Sequence, residues 1–166
     1  MLTIEDGTGI AGADSYATAA ELATRAAAYG WVVPADELAQ EVLLRRAAEA
    51  MNALQWKGKR AGTGQALAWP RRDVVVDGEY MPDDHIPGPI KYGQMALAAE
   101  IHADDVSPPE MRTGPVKREK VDVLEVEYAG VANTGKLMRA APDRPSQVQF
   151  LDYLQKRGLF LRAVRA

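Results

Sequence analysis

The chain has 166 residues, 47% hydrophobic and 26% charged, with no cysteine and a formal net charge of −3. These values suit one soluble globular domain with a modest core and exclude a disulfide framework, a thiolate metal site and a cysteine nucleophile. The acidic balance opposes any role that wraps phosphates, which needs a concentrated basic face, and leaves only a local basic patch in play. No apolar run is long enough for a bilayer and the N-terminus lacks a signal-peptide pattern, so a cytosolic protein without membrane contact is expected.

Gly7, Gly9 and Gly12 satisfy G-x-G-x-x-G after a short apolar stretch, Leu2 to Ile4. A dinucleotide turn needs its helix to start within the glycines. Here the better start is Thr18 with Glu21 three residues on, a capping-box pattern, so the glycines read as a lead-in loop. The first helix then runs to Gly30, placed for a left-handed cap. After Trp31, Val32, Val33 and Pro34, Asp36 caps a second helix expected to reach about Leu54. In it Leu43, Ala47, Met51 and Leu54 recur at helical spacing and read as core.

Residues 57–89 form a long connection with too much apolar content for a solvated tail. It reads as an ordered arm between helical segments. Lys57, Lys59, Arg60, Arg71 and Arg72 flank Trp56 and Trp69 there. Such interleaving can track and stack single-stranded nucleic acid, or the indoles can pack inward while the cations stay in water. The second reading is preferred, with Trp69 and Pro70 as a buried anchor. Gly62, Thr63 and Gly64 lack the Gly-Lys-Ser/Thr of a phosphate loop. Val74 to Val76 followed by Asp77-Gly78 predicts a small hairpin.

Asp83, Asp84 and His85, with His102, Asp104 and Asp105, are the cluster that could bind metal or run acid–base chemistry, but they lack ligand spacing on a helix face. The neighbouring prolines make Asp83 and Asp84 candidates for capping the third helix instead. That helix is expected from Pro87–Ile90 to about His102, burying Ile90, Leu97 and Ile101. Residues 116–130 carry a β extension. Val121 and Val123 lie on one face, and Leu124, Val126 and Tyr128 on the other, so Val121 to Tyr128 is expected as a strand with a bulge or two covered faces. It should pair with the arm, the C-terminal segment or another subunit. A last helix, capped by Ser146, is expected through Arg157, burying Val148, Leu151 and Leu154. Residues 159–166 follow as a basic tail with Phe160, Arg162 and Arg165.

The order of E-D-G-T-G, A-D-S-Y, W-K-G-K-R, L-A-W-P-R-R, I-P-G-P-I-K, K-V-D-V-L-E-V-E-Y-A and F-L-D-Y-L-Q-K-R-G-L is similar to tailed-bacteriophage head-tail connector (adaptor) proteins. That group includes sequences described as DnaT-like single-stranded-DNA-binding proteins. The resemblance covers nearly the whole chain, and its most specific pieces are Trp69-Pro70-Arg71, Ile86-Pro87 with Lys91, and Glu125 to Ala129. It implies a mainly α fold, a small bundle of about four helices with a long embracing arm and a short β-strand or hairpin extension. It also implies a structural subunit of phage or prophage that forms a homo-oligomeric ring, commonly twelvefold, below the portal protein and above a downstream neck or tail-completion protein. Double-stranded DNA would pass through the lumen, in the virion neck after assembly in the bacterial cytoplasm. It supplies no catalytic residue, metal or cofactor.

An ordered arm and an unpaired strand are both costly alone and gain contacts from a neighbouring copy. Expected oligomer or partner contacts are therefore Trp69, Pro70, Arg71, Val121, Val123, Val126, Tyr128, Phe160 and Arg162. Lys57, Lys59, Arg60 and Arg72 are the candidate nucleic-acid contacts. A structural connector is the preferred reading, a single-stranded nucleic-acid binder the alternative, and an Asp/His enzyme the weakest.

Overall fold

A computed structural model describes residues 1–107, 119–121, 124–126 and 144–155. Its fold is mainly α. The helices are α1 (Ala19–Tyr29), α2 (Glu37–Asn52), α3 (Gly88–Val106) and α4 (Pro145–Phe150). No helix among the described residues is long and apolar enough to cross a membrane.

The helix starts follow from short-range chemistry. At α1 the Thr18 hydroxyl accepts from the Glu21 N–H, and the Glu21 carboxylate accepts from the Thr18 N–H at 2.7 Å. Both satisfy donors that the first turn leaves unpaired. Gly30 ends the helix at φ 68°, a conformation that costs glycine little. Asp36 caps α2 by accepting from the Ala39 N–H at 2.9 Å. The helix ends at Asn52, two residues before the expected end at about Leu54, and Leu54 is 38% exposed.

Helices α1, α2 and α3 pack against one another around Leu22, Leu43, Leu44, Ala47, Met95 and Ala98. A second core joins α2, α3 and α4 to the arm through Met51, Trp56, Trp69, Val74, Ile90 and Phe150. Buried Gln94 on α3 links the first core to the N-terminal loop. Its side chain accepts from the Tyr16 N–H and donates to Ser15 Oγ and the Leu44 carbonyl, each at 2.9 Å.

Four expectations about the helices change. No side chain caps α3: Pro87 is the N-cap residue, with proline again in the first turn, so Asp83 and Asp84 do not have the capping role. Its other end runs a turn past His102, to Val106. The last helix ends at Phe150, and Val148 and Leu151 are exposed. Ser146 does not cap it; its hydroxyl donates to the Glu100 carboxylate at 2.8 Å. The chain leaves the helix because Phe150 seats against Gly93 of α3, and Leu154 then bridges Trp56 antiparallel, with the Lys57 N–H donating to the Tyr153 carbonyl at 2.9 Å.

The strands form local antiparallel pairs: β1 (Lys59–Arg60) with β2 (Arg71–Arg72), β3 (Val75–Val76) with β4 (Glu79–Tyr80), and β5 (Glu119–Val121) with β6 (Leu124–Val126). Asp77 and Gly78, both at positive φ, turn the predicted hairpin. Val121 pairs with Leu124. Val121 and Leu124, expected on one continuous strand, therefore lie on two antiparallel strands. Among the described residues, β5 and β6 pair with each other and no third strand joins them. Val123, Tyr128, Phe160 and Arg162 lie outside the described residues.

Candidate nucleic-acid interface

The arm packs on its own bundle through Trp56, Leu67, Trp69 and Val74. Trp56 follows α2 directly, and its indole N–H donates to the Met51 carbonyl at 2.8 Å. Its ring meets Trp69 edge-on at 6.0 Å between centroids and Phe150 at 5.1 Å. Trp69 in turn meets Tyr153 at 5.7 Å, and its backbone N–H donates to the buried Tyr16 hydroxyl at 2.9 Å. Trp69 is 0% exposed, and Pro70 is buried beside it. Both were expected at a partner surface, but they lie inside the protomer as the anchor of the arm. Neither Trp56 nor Trp69 can stack a base.

With the anchor fixed, the basic residues on either side of it come together. The β1–β2 register sets Lys59 opposite Arg72 and Arg60 opposite Arg71. Side chains alternate faces along a strand, so the two pairs point to opposite sides of the ribbon. Arg71 is half-buried and structural. It donates to the carbonyls of Lys57 (2.7 Å), Gly58 (2.8 Å) and Ala68 (3.0 Å). Burial and then the nearby Arg60 cation lower its pKa from the ordinary arginine value. Gly58 has φ +67°, and a β-carbon there would run into the Arg72 carbonyl, so this close backbone crossing needs glycine. Lys57 donates to the Val75 carbonyl at 3.2 Å, which ties the ribbon to the β3–β4 hairpin.

Lys59 and Arg72 are left exposed as a directly opposed like-charged pair. Such a pair is destabilising by itself. Among the described residues, no carboxylate forms a salt bridge with Lys57, Lys59, Arg60, Arg71 or Arg72. A bound phosphate between the opposed heads would offset the repulsion and accept charge-assisted hydrogen bonds from both. Tyr80, 79% exposed on the adjoining hairpin, is an aromatic surface that a base could stack on. It was not a sequence candidate, and its exposure is visible only in the fold.

The acidic and histidine residues are not brought together. Asp104 pairs with Arg144 at 2.9 Å, and Asp105 pairs with Arg46, which lowers the Asp105 pKa from its ordinary value. Among the described residues, no group of three potential metal ligands is close enough to hold an ion.

The glycine-rich N-terminal loop does form an anion nest, and the chain fills it. Glu5 is 0% exposed, and its carboxylate accepts from the N–H groups of Gly7 (3.0 Å), Gly9 (2.8 Å) and Ile10 (2.8 Å). With those donors already satisfied, no phosphate site remains, in agreement with the lead-in-loop reading.

No curated protein and no solved structure matches the chain. A family model described as "Putative DnaT-like ssDNA binding protein" matches residues 1–166. Because that match spans the whole chain, the chain belongs to the family so described.

Proposed function

We propose that this protein is a non-enzymatic binder of single-stranded DNA that contacts phosphates through the outward face of the β1–β2 ribbon. The observation that carries the reading is the exposed Lys59–Arg72 pair, held at cross-strand distance with no carboxylate paired to it among the described residues. Family membership supports it. The patch is small and the chain is acidic, so binding is weak and electrostatic, with Kd of roughly 10⁻⁴–10⁻⁶ M at physiological salt.

Fluorescence anisotropy of a labelled oligothymidine across a salt series tests this. Two phosphate contacts give a slope of log affinity against log salt of about −1.4, and Lys59→Ala/Arg72→Ala should remove most of it. Wild-type affinity in that double variant, or affinity indifferent to salt, would overturn the reading.

A second reading has an observation of its own. Apolar side chains stand exposed on two sides of the bundle, Leu38 and Val42 on α2 and Tyr29 and Tyr92 beside a groove between α1 and α3. They favour a structural subunit that self-associates, consistent with a phage head-tail connector ring against a portal protein. In such a ring the ribbon would meet DNA in passing, and a weak contact would let the DNA slide.

A further inference from the structure

We infer that the cavity between the β3–β4 hairpin and Tyr153 is a pocket for one base of the bound strand, with Tyr80 as its stacking surface. The inference rests on the single-strand reading and adds a base contact to the phosphate contact of the ribbon. The cavity measures about 360 Å³, within the ~300–1,000 Å³ of ligand pockets. Val76, Met81 and Tyr153 line it and also pack on the core that holds Trp69, which gives it an apolar floor. Tyr80, His85 and Glu79 belong to the same lining, and all three are exposed.

The walls are held by contacts outside the cavity. The Met81 N–H donates to the Val74 carbonyl at 2.9 Å, which closes the base of the hairpin, and the His85 N–H donates to the Pro82 carbonyl at 3.2 Å, which closes the turn that carries the imidazole. Tyr153 is set edge-on against Trp69, 5.7 Å between centroids. Among the described residues, neither His85 nor Glu79 forms a salt bridge. An apolar floor below exposed rings suits the face of a base, and the polar groups beside them suit its edge.

Charge divides the strand between the two sites. Glu79 is in the lining, and burial together with the Asp152 and Asp77 carboxylates raises the Tyr153 pKa from its ordinary value. These surroundings repel a phosphate, whereas a base carries no charge. The cations stand on the ribbon instead. Arg72 is four residues from Val76, at most ~14 Å of chain, and the Lys57 ammonium donating to the Val75 carbonyl at 3.2 Å keeps ribbon and hairpin together. A strand with its phosphates on Lys59 and Arg72 therefore has a base within reach of Tyr80.

Two probes separate base contact from phosphate contact. An abasic strand of equal length keeps every phosphate, so oligothymidine should bind about tenfold tighter than it in anisotropy, and Tyr80→Ala, at an exposed position, should erase the difference. The nucleoside thymidine carries no phosphate and leaves the ribbon out. The chain has two histidines, so on adding thymidine the ring C–H signals of His85 should shift in proton NMR while those of His102, outside the cavity lining, stay fixed. Equal affinity for the two strands with no shift of His85 would reject the pocket and leave the ribbon standing. A His85 shift that Tyr80→Ala abolishes, with strand affinity indifferent to salt, would keep the pocket and reject the ribbon. Neither strand bound and no shift would reject both.

Discussion

Trp69→Ala should be among the most damaging single changes in the arm. Trp69 is fully buried, and Trp56 and Tyr153 meet its ring edge-on, so its truncation leaves a cavity between them. Truncating a buried Trp typically costs ~3–5 kcal/mol, a large share of the ~5–15 kcal/mol that holds a domain folded. The indole N–H has no hydrogen-bond partner, so none of that loss is a hydrogen bond. Trp69→Phe keeps an aromatic ring and removes an unpaired buried donor, and should cost only about 1–2 kcal/mol. Urea unfolding followed by circular dichroism measures both. Oligothymidine anisotropy on Trp69→Phe should be unchanged, because the indole positions the ribbon and does not stack a base. Trp69→Ala within ~1 kcal/mol of wild type, or Phe as damaging as Ala, would refute the anchor argument.

Glu5→Gln should lower stability by ~1–3 kcal/mol in the same unfolding assay, because the new amide turns a donor toward one of the N–H groups that the carboxylate now satisfies; a loss under ~0.5 kcal/mol would contradict this. Gly93→Ala sets two effects against each other: helix propensity favours alanine by ~1 kcal/mol, but the new methyl meets the Phe150 ring, which Trp56 holds in place, and overpacking costs ~1–3 kcal/mol. A lower melting temperature is expected, and a higher one would show that α4 yields. Burial raises the Tyr16 pKa above the ordinary tyrosine value, and Tyr153 shifts in the same direction. The stability that this linkage contributes is complete below the unfolded tyrosine pKa of about 10 and is lost as pH rises toward the folded value. Wild type should therefore weaken above pH ~10 faster than Tyr16→Phe, and parallel curves would exclude the linkage.

The helix beginnings at Thr18 and Asp36, the stop at Gly30 and the Asp77-Gly78 hairpin were determined by the sequence alone. Each depends on partners within about one turn, so the residues that make the contact are the residues one reads. The inward packing of Trp56 and Trp69 was legible for a related reason, since large apolar rings in a long connection need a core. Only the tertiary structure decided where that core was. It ended α4 at Phe150, where Gly93 makes room for the ring and Leu154 can reach Trp56. It placed Glu5 inside its own glycine loop and Gln94 between three segments. Buried polar residues like these leave no periodic signal, because their type resembles surface and their partners are set by packing. The basic ribbon was half legible. Its residues stood out by composition, but the pairing of Lys59 with Arg72, 13 positions apart, depends on Trp69 being buried between them and on Arg71 holding the segments that lead into the two strands through the carbonyls of Lys57, Gly58 and Ala68.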